Sequence, residues 1–220
     1  KPNPDERINF QNLLGGSLGQ ILGKPSGPIT PADLNRLEEL DVSGTSISEI
    51  NGLQRATGLR SLKLVNNQIS DLKPLSNLTE LERLYLVGNP ITDIQPLGNL
   101  TQLAGLTMGP AKIENHWPLA KLTNLRMAWL GNTQFQDLKP LQGLVKLNKL
   151  VLSSNNIEDV SPLAKLTNLT ELHLNYNRIN NVEPLLNLQN LVDLDLRNNP
   201  ISENQRQLLR RELPNCEIRF

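Results

Sequence analysis

Leu147 to Asn168 reads LNKLVLSSNNIEDVSPLAKLTN, and the pattern it sets recurs every 22 residues from Leu37 almost to the C-terminus. The leading leucine falls at Leu37, Leu59, Leu81, Leu103, Leu125, Leu147, Leu169 and Leu191, with no insertion or deletion between neighbours. A fixed period of this length is the signature of a stacked solenoid, in which each coil relies on its neighbours to bury its apolar face. Within each unit the apolar residues occupy the first, fourth, sixth, eleventh, fourteenth, seventeenth and twentieth positions. The segment LNKLVL alternates apolar and polar side chains, which is the period of a strand, so successive units are expected to lay their strands side by side in a parallel sheet. The rest of each unit returns along the outside. The ninth position is most often asparagine, and Asn67, Asn89, Asn155, Asn177 and Asn199 can bond the backbone groups that the turn leaves unpaired.

The unit L-x-x-L-x-L-x-x-N-x-I, followed by DLKPLSNLT at Asp71–Thr79 and its equivalents, resembles the internalin-type leucine-rich repeats of bacterial surface and secreted proteins. The resemblance covers all eight units. It implies an α/β leucine-rich repeat solenoid: a curved right-handed coil, a parallel β-sheet on its concave face, short turns or 3-10 segments on its convex face, and a helical cap at each end. It also implies a secreted or cell-surface location, with a cytoplasmic one as the alternative. Proline at the sixteenth position, in Pro74, Pro96, Pro118, Pro140, Pro162 and Pro184, favours this bacterial type over the 22-residue class of eukaryotic intracellular scaffolds similar to phosphatase regulators. Internalins often continue into an immunoglobulin-like domain where this sequence stops, so their particular adhesion roles are not expected to transfer.

A solenoid grows without a second core, so one continuous domain is expected: a helical N-terminal cap over residues 1–36, the repeat array over 37–201 and a C-terminal cap over 202–220. In the first cap Ile8, Leu14, Leu18, Ile21 and Leu22 fall near helical spacing, although Gly15, Gly16 and Gly19 weaken a free helix. Leu22 to Leu34 resembles the entry caps of exported bacterial repeat proteins. There Thr30 is placed to cap a short helix, with Pro31 at its first position and Asp33 in its first turn. At the other end Ser202 is placed to cap a helix through about Glu212, and Pro214 stops it before an extended CEIRF tail.

The chain carries 22 basic and 22 acidic residues, so no excess cation attracts a phosphate backbone or an anionic membrane surface, and nucleic acid is not an expected partner. No apolar run reaches the length of a membrane span or resembles a signal-peptide core, so membrane insertion is not expected. Because the sequence begins at Lys1, an upstream segment able to hold an export signal is expected. The lone Cys216 excludes an internal disulfide and a cysteine-built metal site, and packing as a small apolar residue is its expected role. No cofactor is expected, and the chain is expected to act as a monomer.

Function is expected on the concave face, where the second, third, fifth and seventh positions point outward. Lys63, Arg83, Tyr85, Val87, Thr107, Arg126, Met127, Trp129, Val151 and His173 are the candidate contacts for a protein or peptide partner. Tyr85 and Trp129 fall two strands apart, about 10 Å at the spacing of sheet strands. Ala104, Gly105 and Gly109 would floor a notch between them, with Thr107 alongside. Exposed aromatics at the centre of a polar-rimmed surface are the composition of a binding hot spot. Toward the ends the face becomes charged, with cross-strand pairs expected for Asp41 with Lys63, Arg60 with Glu82 and Lys149 with Glu171. A structural or spacer role, or glycan binding at the cell envelope, is the alternative.

Irregular residues gather beside this notch. Ala111 and Thr133 replace ladder asparagines, Met108 and Ala128 replace core leucines, and Phe135 replaces an isoleucine. A leucine-to-alanine difference costs about 2–5 kcal/mol if nothing fills the space, and Phe135 is the expected filler. His116 stands where other units bury Ile, Leu or Val, and a hydrogen-bonded turn or core group is expected of it. Ser153, His173 and Asp195 fall on successive strands, and His173 and Asp195 share a column in which they could touch. Ser153 would have to span a diagonal of about 8 Å, and no oxyanion hole, strained nucleophile turn or lid accompanies them. A hydrolase is therefore a remote alternative, and a non-enzymatic recognition module is the expectation.

Overall fold

The computed structural model describes residues 30–220. The helix expected around Ile8 to Leu22 lies outside the described residues. After Thr30 the chain forms a one-turn helix, α1 (Pro31–Leu34), held by a reciprocal cap. Thr30 Oγ1 accepts from the Asp33 N–H at 3.3 Å, while the Asp33 carboxylate accepts from the Thr30 N–H at 2.8 Å and hydroxyl at 2.6 Å.

Nine three-residue strands follow: β1 (Glu39–Asp41), β2 (Ser61–Lys63), β3 (Arg83–Tyr85), β4 (Gly105–Thr107), β5 (Met127–Trp129), β6 (Lys149–Val151), β7 (Glu171–His173), β8 (Asp193–Asp195) and β9 (Glu217–Arg219). All pair in parallel and in sequence order. From β1 to β8 each residue pairs with the one 22 further on, so like positions line up in columns. The strands occupy the third to fifth positions of each unit. Since side chains alternate across a strand, the fourth position points inward and is buried in all eight units, while the third and fifth face out.

The outer return of each coil has its own local cause. In six units an Asp or Asn at the thirteenth position accepts, through Oδ1, the N–H two residues ahead. These are Asp71 to Lys73, Asp93 to Gln95, Asn115 to Trp117, Asp137 to Lys139, Asp159 to Ser161 and Asn181 to Glu183, all at 2.8–3.0 Å. The following proline fixes its φ in the helical range and needs no partner for a missing N–H, so a 3-10 turn starts there. The fourteenth, seventeenth and twentieth positions then point inward, and with the strand leucines they form one continuous core from Leu34 to Leu213. Each fully buried leucine contributes about 1.5–3 kcal/mol.

Two asparagine ladders join the coils. The inner one is that of Asn67, Asn89, Asn155, Asn177 and Asn199. Asn67, for example, accepts the Ile47 N–H of the preceding coil at 3.1 Å and donates to Val42 O at 2.9 Å and to Leu64 O, in its own coil, at 3.0 Å. The outer ladder has no counterpart in the sequence reading. Asn124, Asn168 and Asn190 donate to Thr101 O, Val145 O and Thr167 O of the preceding coil, at 2.8–2.9 Å.

The array ends on α2 (Glu203–Glu212), whose Ser202 side chain accepts from the Gln205 N–H. This matches the boundaries expected for the C-terminal helix. The CEIRF tail does more than extend: its Glu217–Arg219 segment joins the sheet as a ninth strand. Asp193 pairs with Glu217, two residues beyond the 22-residue step, because a full helix has replaced the 3-10 return. Cys216 is half-buried against the core, and burial first, then Asp193 and Glu217, push its thiol up to about 11.

Candidate protein-recognition surface

The register sets Tyr85, Thr107 and Trp129 side by side on β3, β4 and β5. Trp129 is 44% exposed, Tyr85 is half-buried, and neither ring turns into the leucine core. Lysines flank the pair from outside. Lys63 Nζ stands 6.0 Å from the centre of the Tyr85 ring, and Lys149 Nζ 5.7 Å from that of Trp129. Val87, Met127, Val151 and His173 are half-buried on the same face, while Lys63, Arg83 and Arg126 are exposed.

The floor between the two rings is more closed than its residue types suggest. Thr107 is only 8% exposed, Gly105 and Gly109 are buried, and Ala104 is half-buried. A Cβ at Gly105 would meet Arg83 Cγ at 3.7 Å and Met127 Cε at 3.8 Å, so these two side chains lean in from either side. Gly109 is glycine for a backbone reason. The eighth position of the other coils is left-handed, with φ between 54° and 74° at Gly44, Asn66, Gly88, Asn132, Ser154, Tyr176 and Asn198. In the fourth unit that position is Pro110, which cannot take a positive φ, and the left-handed residue moves back to Gly109 at φ 106°. A Cβ there would lie 2.2 Å from Gly131 O. Gly109 thus serves the turn and its neighbour rather than open space for a partner.

Ion pairs hold the flanks of the face. All three expected pairs form: Arg60 with Glu82 at 2.7 Å, Lys63 with Asp41 at 3.3 Å, and Lys149 with Glu171. Arg83 also reaches Glu39 across two strands at 3.2 Å. At the far end, Asp195 is buried beneath Arg197, which donates from Nη2 at 2.6 Å and Nε at 3.0 Å. Burial raises the Asp195 carboxyl, but the Arg197 hydrogen bonds and the Arg197 and Arg219 charges overcome this and leave it below its ordinary value. Asp41 is likewise held low, mainly by its hydrogen bond from Ser43, against a smaller desolvation effect.

The three residues weighed for hydrolysis are held by other groups. His173 Nε2 lies 3.2 Å from Asp193 Oδ2 rather than against Asp195, because Arg197, two residues further along the same coil, occupies Asp195. Ser153 Oγ donates to Asn175 Oδ1 at 2.6 Å. Among the described residues no group of three or more His, Cys, Asp or Glu could hold a metal ion.

The irregular fourth and fifth units change the inner ladder. With Ala111 in place of asparagine, the Ile91 N–H turns to Asn89 O in its own coil at 2.9 Å. Ile201 makes the same bond to Asn199 O at 2.8 Å, where no further repeat coil supplies an asparagine. Thr133 replaces only part of an asparagine: its hydroxyl donates to Leu130 O at 2.8 Å, and its own N–H is taken by Asn155 Oδ1 at the same distance. Ala128 is fully buried, as is Phe135 on the same coil, whose ring stacks on His116 at 3.9 Å. His116 also sits 3.2 Å from Thr133 O, and burial outweighs this contact and lowers its pKa to about 4. It is the hydrogen-bonded packing group expected of it. The neighbouring Trp117, on the outer return, is 54% exposed.

Coils of constant length, a parallel sheet on one side and 3-10 returns on the other define a leucine-rich repeat solenoid. Sequence profiles described as Leucine Rich repeats (2 copies) match residues 57–99 and 123–165, and a Leucine Rich repeat profile matches 165–182. No curated protein matches the chain in sequence. Among solved structures, an internalin (inlF) of Listeria monocytogenes is 32% identical with a TM-score of 0.84, over 98% of this chain and 68% of that one. Internalin C2 of the same organism is 32% identical with a TM-score of 0.88, over 98% of this chain and 92% of that one. A leucine-rich repeat protein of Leptospira interrogans is 26% identical with a TM-score of 0.80, over 87% and 51%. The chain belongs to the internalin-type family of bacterial leucine-rich repeat proteins. Among the described residues no helix is long and apolar enough to cross a membrane.

Proposed function

We propose that this chain is a non-enzymatic recognition module of an exported bacterial protein, and that it takes a protein or peptide partner on the outward face of its sheet. Tyr85 and Trp129 are the central contacts, with Met127, Thr107, Val87 and Val151 around them and Lys63, Arg83, Arg126 and His173 at the margin. The observation that carries this reading is the exposed Trp129 ring in the middle of a face whose two ends are tied down by ion pairs. A large aromatic left in water at the centre of a rigid sheet has apolar area still to bury, and the rim around it is polar. The closed floor makes the contact a shallow platform between two rings rather than a deep slot. The array brings its own rigidity, so docking orders little backbone.

The test compares capture of a partner by the wild-type chain, by the Tyr85→Ala plus Trp129→Ala chain and by a Trp117→Ala chain altered on the outer return. Loss of capture only in the first variant is expected. A partner held equally by all three chains would remove the sheet face from the account.

A further inference from the structure

The cations of the sheet face divide into paired and unpaired. Arg60 holds Glu82, Lys63 holds Asp41, Arg83 holds Glu39, Lys149 holds Glu171, Arg197 holds Asp195 and Arg219 holds Asp193. His173 also lies against Asp193. Among the described arginines and lysines of this face, Arg126 alone has no carboxylate beside it. The cause lies in its column. The Arg126 N–H bonds Ala104 O and its carbonyl accepts from the Asn148 N–H, both at 2.8 Å, so an alanine and an asparagine are its lateral neighbours. Glu82, the next acid along, is occupied by Arg60. Arg126 is also the one charge that the fourth and fifth units place on the face, among Ala104, Gly105, Thr107, Met127 and Trp129. Toward the two ends the acids of the face are matched by bases, Glu39 by Arg83 and Asp41 by Lys63 on one side, Asp193 by Arg219 and Asp195 by Arg197 on the other.

Resting on the recognition surface proposed above, we infer that the partner is a protein segment that places a carboxylate on Arg126 next to the apolar group meeting Trp129 and Met127. Covering an exposed guanidinium with neutral atoms costs its hydration, whereas a carboxylate matches its planar fork with two parallel hydrogen bonds. The ends offer no further unpaired cation among the described residues of this face, so a single acid is favoured over an acidic run. One central anion between two ends of paired charges thus fixes register as well as affinity.

The probe is a displayed library of random twelve-residue peptides, selected on the wild-type chain and on the Arg126→Gln, Arg126→Glu and Tyr85→Ala plus Trp129→Ala chains. Arg126 is exposed, so its replacements leave the core intact. The wild type is expected to enrich Asp or Glu beside an aromatic or aliphatic residue, and replacing that acid by its amide should weaken binding about tenfold. Arg126→Gln should lose the acidic preference, and Arg126→Glu should exchange it for Lys or Arg. Apolar peptides enriched without an acid, or the same acids enriched on Arg126→Gln, would overturn the inference while leaving the recognition surface standing. Equal enrichment on the double-alanine chain would overturn both, as would binding of acidic oligosaccharides by the wild type with no peptide enriched.

Discussion

Replacing Asn155 by alanine measures what the inner asparagine ladder holds. Asn155 is 0% exposed, its Oδ1 accepts the Thr133 N–H at 2.8 Å and the Phe135 N–H at 3.0 Å, and its Nδ2 donates to Leu130 O at 2.8 Å. Alanine removes all three bonds in a place water does not reach. The gap at Ala111 shows how far the backbone recovers, since the Ile91 N–H there finds the Asn89 carbonyl of its own coil. The Phe135 N–H has the same route to Thr133 O. Leu130 O keeps the Thr133 hydroxyl, so the Thr133 N–H alone remains without a partner, at about 1–3 kcal/mol, and a loss of about 2 kcal/mol is expected. With a urea slope of about 3 kcal/mol/M, the unfolding midpoint should fall by about 0.7 M. Trp129, in the coil that Asn155 supports, supplies the fluorescence signal. Asn199 is half-buried and its partners lie nearer solvent, so Asn199→Ala should lower the midpoint by less than half as much. Equal shifts for the two variants, or a shift below about 0.3 M for Asn155→Ala at unchanged slope, would refute the view that buried amides hold the coils in register.

Two further outcomes follow from the irregular coils and a third from the seventh coil. Ala128→Leu and Phe135→Ile should each destabilise by about 1–3 kcal/mol, and the double change by clearly less than their sum. Additivity in a double-mutant cycle of urea melts would show that Phe135 does not fill the space beside Ala128. His116 has a folded pKa of about 4 against an ordinary 6.5, so the neutral ring is favoured by folding. Its contribution is complete above pH 6.5 and is lost as pH falls toward 4. His116→Leu should therefore gain on the wild type in urea midpoint between pH 7 and pH 4.5, and parallel pH curves would contradict this. Tyr176 holds φ 57° while 61% exposed, so Tyr176→Asn, at a residue better suited to the left-handed region, should raise stability by about 0.5–1 kcal/mol. An unchanged thermal midpoint would count against that.

The repeat was legible because seven apolar positions and one asparagine recur at a constant step, and backbone geometry turns that step into register. The ion pairs were legible for the same reason, since residues one period apart must stand side by side, as Lys63 does beside Asp41. What escaped depends on competition that a column diagram omits. His173 and Asp195 are neighbours in register, yet Arg197 reaches Asp195 first and leaves Asp193 for the histidine. The floor of the notch looked open from its small residues, but the lean of Arg83 and Met127 over Gly105 is a matter of rotamers. Gly109 looked like room for a ligand, and only the need of Pro110 for a negative φ explains it. The ninth strand was hidden by the two extra residues that α2 inserts before Glu217. The Asp or Asn three residues before each proline of the 3-10 returns was visible in the sequence, and its two-residue reach to the backbone was the missing signal.

The most direct measurement is hydroxyl-radical footprinting of the chain alone and with the partner that the wild type captures. Protection of Tyr85, Met127 and Trp129, with Trp117 and Tyr176 as reactive as in the free chain, is the expected result. Protection of Trp117 or Tyr176 while Trp129 stays reactive would place recognition on the outer returns or the turns and contradict the role assigned to the sheet face.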